Sequence, residues 1–396
     1  MEGVETLMNK AVQDGTILGA VLLAKDKSGN VNYYNAFGSR TVVPEEKPME
    51  KDTIFLMASM TKLMTTIAAL QVVERGLIKL DDDVTGLLPV LAKQEVLTGF
   101  SEDGKPTMEK RRKPITLRQL LTHSFGGAYD FLSPDIVKYR EYHKIPEGPR
   151  TTIDEAFGTP LLHQPGEGWL YGPGLDWAGQ VVEKLTGTTL EEHMQQNIWG
   201  PLGLRDITFW PEARADMQPR RAAMAIRDAA TGKAVQSRKP INISAGLTQA
   251  AGGQGAFAGL ADYLEILRSL LVDDGRLLRR ATTEAMFRPQ LSPAAKAALL
   301  ANFKHPEWAV GHFPDTEEYD WGLGGILIDG DKHPFRKRNA MLWSGNANLS
   351  WFLDRTAGVC GVFGTQLLPP ADPQIEELIK AFEEGVYSLS GAKTKL

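Results

Sequence analysis

From Phe55 to Val73 the chain runs through apolar and small residues with one charged side chain among them, Lys62. Nothing between Ser59 and Glu74 breaks a helix, and Gly76 supplies a C-terminal stop. A helix that starts at or just before Ser59 places Ser59 and Lys62 on one face, because positions three apart are neighbours. Ser59 then sits in the first turn, where free N–H groups and the positive end of the helix dipole favour a developing anion. An ammonium is costly to bury, so the pKa of Lys62 should fall and release a neutral amine. A serine beside such an amine is one recognised arrangement for acyl transfer. A capping serine followed by a solvated lysine gives the same spacing. That spacing recurs as Ser390-Gly391-Ala392-Lys393 in a polar tail, and only the copy at 59–62 has apolar sequence on both sides.

At 396 residues the length suits roughly two to three domains or one large two-lobed unit. A hydrophobic content of 42% with 23% charged residues is that of an ordinary globular protein, and a net charge of −5 argues against a nucleic-acid surface. The basic run Lys110-Arg111-Arg112-Lys113 is the local exception, either a solvated loop or a site for an anionic partner. Cys360, the single cysteine, lies in an apolar strand-like run and reads as an inert core thiol. Met1 to Lys10 lacks an apolar signal core, and Ile17 to Ala24 is too short to span a bilayer, so a cytoplasmic location is expected. The seven histidines have no zinc-like spacing; neither a metal nor a cofactor is expected.

Along the chain, residues 2–14 read as an amphipathic helix, and Gly19–Ala24 and Val31–Gly38 as an antiparallel hairpin joined at Lys27–Asn30. Helical signals dominate from Ser59 to about Pro240, including 116–123, 175–185 and 190–198. A glycine-rich loop, 253–257, precedes a helix over 260–271. Strands follow at 321–328, 339–344, 349–353 and 358–366, then a closing helix over 373–387. Strands at both ends with helices between imply that the termini meet in one sheet. The expected units are residues 1–55 with 241–396 as a sheet domain, and 56–240 as a mostly helical one.

Acyl transfer needs a proton relay beyond the amine, and a tyrosine serves when a nearby cation lowers its pKa. Tyr171 is the candidate, in the glycine- and proline-rich loop Gly166–Gly174, although a tyrosine packed in a turn is the commoner case. Met341-Leu342-Trp343-Ser344-Gly345-Asn346 reads as a strand end able to offer an N–H to an oxyanion together with that of Ser59.

Ser59-Met60-Thr61-Lys62, Tyr171-Gly172-Pro173-Gly174 and Trp343-Ser344-Gly345, in that order, resemble the three signature elements of the serine-reactive family of class C β-lactamases, DD-peptidases and related esterases. Leu120-Leu121-Thr122-His123-Ser124-Phe125-Gly126-Gly127 is similar to another family segment, with Phe125 in place of its second serine. Ala24–Gly38, Thr61–Leu80, Tyr171–Gly179, Gly252–Phe257 and Trp321–Gly325 carry the likeness almost end to end, towards the acyltransferases of polyketide pathways. The resemblance implies a mixed α/β (α+β) fold of the β-lactamase/DD-peptidase type. In it an antiparallel sheet flanked by helices carries an inserted, mostly helical lobe, and the site lies in the cleft between them. It implies Ser59 as nucleophile, Lys62 as its base, Tyr171 as proton shuttle, and the N–H groups of Ser59 and Asn346 as the oxyanion hole. Trp343-Ser344-Gly345 stands where lactamases and peptidases carry Lys-Thr-Gly, and the missing cation disfavours their carboxylate-bearing substrates. Gly172-Pro173 also departs from the lactamase pattern.

The expected function is cofactor-independent transfer of an acyl group from a thioester, on an acyl carrier domain or small thiol, to a hydroxyl of a polyketide-type product. Phe125, Tyr129, Trp169 and Trp343 are candidate walls for an apolar acceptor. A carboxylesterase with the same acyl-enzyme, and a non-catalytic binding relative, are the alternatives.

Overall fold

The computed structural model describes residues 1–146, 148–239 and 241–391. Eight strands from the two ends of the chain form its main sheet: β1 (Gly19–Asp26), β2 (Asn32–Thr41), β3 (Lys47–Pro48), β4 (Tyr319–Trp321), β5 (Ile326–Ile328), β6 (Met341–Gly345), β7 (Leu349–Asp354) and β8 (Val359–Gly364). Their order is β4-β5-β6-β7-β8-β1-β2-β3 and each neighbouring pair is antiparallel. Val21 faces Gly364 and Asp26 faces Val359, so the first long strand pairs with the last.

Five helices frame this sheet and the site: α1 (Glu2–Gln13), α2 (Thr61–Glu74), α3 (Gly174–Thr186), α4 (Leu260–Val272) and α5 (Pro373–Leu389). Successive side chains of a strand point to opposite faces. Phe363 of β8 packs on Phe382 of α5, with ring centroids 6.4 Å apart, whereas a Cβ on Gly364 would collide with Leu260 of α4. Helices α1 and α5, which touch each other, therefore cover one face and α4 the other. β1 accordingly reads as a continuous buried run from Gly19 to Ala24 instead of alternating. Cys360 of β8 is fully buried, which pushes its thiol up to about 12.

Every residue of α2 from Thr61 to Val72 is buried. A helix apolar on all sides is held by its surroundings and not by one amphipathic stripe, and here α3 lies against it. A small sheet of Ile54–Leu56, Phe257–Gly259 and Ile207–Thr208 delivers the chain into α2.

The structure departs from the sequence reading in three places. The expected strand 321–328 is a hairpin, β4 and β5, closed by the Gly322 N–H donating to Gly325 O at 2.9 Å. Its glycines are turn residues in close quarters: a Cβ on Gly322 would lie 2.6 Å from Met286 O. The expected helix 190–198 changes to a π turn at Gln195–Trp199, where Asn197 Nδ2 donates to His193 O at 2.7 Å and competes for a helix carbonyl. The middle of the chain also holds a hairpin, Val96–Phe100 with Pro106–Glu109, and a pair, Ala225–Arg227 with Ala234–Gln236, that joins Leu367–Leu368. Such short strands leave no periodicity to read. Of the second Ser-x-x-Lys copy, Ser390 follows the end of α5 and Lys393 lies outside the described residues. Among the described residues, no helix is long and apolar enough to cross a membrane.

One buried ion pair ties α5 to the loop between β5 and β6. Arg336 donates from Nε and Nη2 to the Glu383 carboxylate, both at 2.9 Å, with side-chain exposures of 0% and 2%. Removing one partner strands a buried charge, which costs about 3–5 kcal/mol. Glu383→Ala should lose that much in urea unfolding, and the double change Arg336→Met with Glu383→Leu should lose much less.

Candidate active site

Ser59 lies in a 3-10 turn, Ala58–Met60, that runs directly into α2. The turn is pinned on several sides. The Met57 N–H donates to Ala256 O at 2.9 Å, the Ala256 N–H to Thr61 Oγ1 at 3.1 Å, and the Tyr263 hydroxyl to Met60 O at 2.9 Å. Ala58 is held at φ +45°, a left-handed conformation costing of order 1–3 kcal/mol for a residue with a Cβ. That conformation aims the next side chain, Ser59, into a cavity.

Lys62, 1% exposed, follows on the same face. Its Nζ lies 3.2 Å from Ser59 Oγ, 3.3 Å from the Tyr129 hydroxyl and 2.7 Å from Gly253 O. Tyr129 in turn donates to Asp176 Oδ2 at 2.9 Å, and the Gly253 N–H donates to Asp176 Oδ1 at 2.9 Å. The ring closes: Gly253 O and the Tyr129 oxygen accept two amine protons, and the lone pair of a neutral amine is left for the Ser59 hydroxyl. Desolvation lowers the Lys62 pKa to about 7, against the opposing pull of the Asp176 charge. Burial also raises the pKa of Asp176, although Lys62 and the two donated hydrogen bonds oppose the rise. Gly253 has to be glycine, because a Cβ there would sit 2.4 Å from Asp176 Oδ2 and 2.7 Å from the Tyr129 hydroxyl.

Tyr171 reaches the same point from the loop before α3, its ring 4.6 Å below Lys62 Nζ. Its oxygen accepts from Trp343 Nε1 at 3.2 Å. The expected lowering of its pKa by a cation is not what the structure gives. Burial raises it, and the Ser59 and Trp343 hydrogen bonds only partly offset that, so the phenol keeps its proton. The ring is wedged between Trp343 and His123, at 5.1 and 4.7 Å between centroids. His123, neutral through burial, accepts the Gly172 N–H on Nδ1 at 3.3 Å and so fixes the loop.

The end of β6 abuts the serine turn so closely that a Cβ on Gly345 would lie 2.5 Å from Met57 O. Asn346 follows it, and both residues share with Ser59 a cavity of about 780 Å³. Tyr129, Tyr171, Trp343 and Ser344 also line it. Phe125 and Trp169 do not. Phe125 is fully buried under Gly127, and Trp169 stacks behind Tyr171 on Trp308 and Trp321, at 5.4 Å from each. Two of the four residues of the basic run are matched by acids: Lys113 pairs with Glu167 at 2.7 Å and Arg112 with Glu109 at 3.2 Å.

Sequence reasoning missed Asp176, Gly253, Trp308 and the contact of Tyr129 with the amine. A signal existed for Asp176, a lone carboxylate inside the apolar run Leu175–Val182 shortly after Tyr171. None existed for Tyr129, whose role is set by tertiary contact.

Comparison with known proteins shows the family and the fold. A family model described as beta-lactamase matches residues 4–384. The lovastatin esterase of Penicillium rubens is 42% identical over 97% of this chain and 98% of its own length. The monacolin J acid methylbutanoyltransferase of Aspergillus terreus is 39% identical over 97% of this chain and 95% of its own. Unliganded simvastatin synthase (LovD) from Aspergillus terreus superposes with a TM-score of 0.88 at 37% identity, covering 98% of both chains. A penicillin-binding protein homologue from Pyrococcus abyssi shares the fold alone, at a TM-score of 0.66 and 20% identity over 97% of this chain and 77% of its own. With a model that spans nearly its whole length and full-length relatives well above 30% identity, the chain belongs to the β-lactamase family.

Proposed function

We propose that this protein is an acyltransferase that moves an acyl group from a thioester to a hydroxyl of an apolar, polyketide-type acceptor through an ester on Ser59. The observation that carries the reading is the buried Lys62 amine, poised near neutrality 3.2 Å from Ser59 Oγ. The neutral amine takes the Ser59 proton as Oγ attacks the thioester carbonyl. The N–H groups of Ser59 and Asn346 hold the tetrahedral oxyanion. Its collapse breaks the carbon–sulfur bond, and the thiolate takes a proton delivered from Lys62 through Tyr171. An acceptor hydroxyl then loses its proton to the same relay and attacks the acyl-serine, forming the product ester and restoring Ser59. Tyr171, a neutral phenol touching both Ser59 and Trp343, passes protons without ever carrying a full negative charge for long.

The relatives named for methylbutanoyl transfer act on monacolin J acid and on ML-236A carboxylate, which supports an apolar acid as the acceptor class. The thioester sits on a small thiol or an acyl carrier domain. For the carrier, the surface around Lys110–Lys113 is the docking candidate, and charge reversal there should slow carrier-dependent turnover while sparing small thioesters. The relative named lovastatin esterase favours a second reading, hydrolysis through the same acyl-serine. Transfer and hydrolysis differ in whether the second-step nucleophile is an alcohol or water.

Incubation with an acyl thioester, with and without a pool of apolar alcohols, should give ester at the expense of free acid; acid alone in both would establish hydrolysis. Ser59→Ala should abolish both products and block labelling by a fluorophosphonate. Because the ammonium has no lone pair, Ser59 acylation should be slow at acid pH and rise through about pH 7. Asp176→Asn removes the charge that raises the Lys62 pKa, so the inflection should move to lower pH. Tyr171→Phe should cut kcat by about 100-fold or more, the usual cost of losing a positioned proton-transfer group, and leave that inflection in place.

A further inference from the structure

The nucleophile that ends the reaction must come within hydrogen-bond reach of Tyr171, because its proton leaves through that phenol. Two more rings, Trp343 and Trp308, line the cavity beside it. Ring centroids lie 5.1 Å apart for Tyr171 and Trp343, 6.0 Å for Tyr171 and Trp308, and 5.9 Å for Trp308 and Trp343. Trp308 comes from a turn, Pro306–Trp308, that follows a helix over Pro293–Asn302 and belongs to none of the three signature segments. It is half-buried, packed against Trp169 and Phe303 at 5.4 Å each. Both indole N–H groups are already committed: Trp308 Nε1 donates to Asn302 O at 3.3 Å, and Trp343 Nε1 to the Tyr171 oxygen at 3.2 Å. The trio therefore offers an incoming molecule one polar atom, the Tyr171 oxygen, among three aromatic surfaces. A water needs about two to four polar partners to be held. An alcohol on an apolar body needs one hydrogen bond and gains contact with the rings.

We infer that Trp308 is the residue that sets the choice of acceptor, admitting an apolar alcohol to the acyl-serine ahead of water. The inference rests on the acyl-serine reading and deepens it, because the ring acts on the second step, where alcohol and water compete. Trp343 cannot be separated from the proton path, since its N–H bonds the phenol directly. Trp308 can: its ring stands beside Tyr171, and its single N–H goes to Asn302. Truncating Trp308 thus opens space for water beside the phenol and removes none of the hydrogen bonds of Ser59, Lys62, Tyr171 or Trp343. The step balances with either acceptor. The acceptor oxygen bonds the acyl carbon, the bond from that carbon to Ser59 Oγ breaks, and the acceptor proton returns to Oγ through Tyr171.

The test measures how the acyl group divides between acceptors. The intact protein is given S-butanoyl-N-acetylcysteamine with hexanol or ethanol at one matched concentration below saturation. Released thiol counts acylations, and chromatography counts hexyl or ethyl ester against butanoic acid. The native chain should form more ester per acid from hexanol than from ethanol. Trp308→Ala should lower the ester-to-acid ratio from hexanol about ten-fold or more, the worth of a lost apolar contact in a specificity pocket, and flatten the difference between the alcohols. Trp308→Phe, which keeps a ring, should retain most of the native ratio. A merely structural role would slow thiol release and both products together and leave the ratio alone. Should Trp308→Ala fail to fold, Trp308→Leu decides in its place, and its ratio should move in the same direction. An unchanged or higher ratio in the variant that decides overturns the inference, as do equal native ratios from the two alcohols or acid alone from the native chain. In each of these cases thiol release leaves the acyl-serine reading standing. No thiol release from the native chain removes that reading, and this inference with it.

Discussion

The site depends on how one amine is buried. Lys62 is removed from water with neutral oxygens alone in hydrogen-bond contact, those of Ser59, Tyr129 and Gly253. A carboxylate in direct contact would have held the proton on the amine; Asp176 stands one group further out, behind Tyr129. Its charge therefore tempers the desolvation without cancelling it, and the balance falls near neutrality. The apolar encirclement of α2 is the cause of the desolvation, so the chemistry of Lys62 follows from a packing decision made over the whole helix.

Close approach is the second theme. Three glycines let backbone or polar atoms come within a distance that a side chain would forbid: Gly253 against Asp176, Gly345 against Met57, and Gly172 against Gly127. These contacts bring the serine turn, the tyrosine loop and the end of β6 together from segments more than a hundred residues apart in sequence. The strained Ala58 is tolerated because bonds from Ala256, Tyr263 and Met57 surround it.

Much of this was legible in the residues. The apolar run around Lys62 announced both a buried helix and a depressed amine, and the terminal hairpin and strand signals announced a sheet drawn from both ends. What escaped had physical reasons. Gly322–Gly325 looked like strand because its neighbours are apolar, whereas the glycines turn the chain. Tyr171 was expected to titrate low beside a cation, but the cation next to it is half-neutral and burial governs the phenol instead. Phe125 and Trp169 are as aromatic as Tyr129, and only tertiary packing decides which ring faces the cavity.

The pairing of β1 with β8 has a consequence for how the molecule comes into being. Residues 19–26 must wait, during synthesis, for residues 359–364 before their shared ladder can form. Loop closure over that span is entropically demanding and comes late. The apolar strand spends the interval without its partner, and the main sheet stays divided until residues 359–364 have been made.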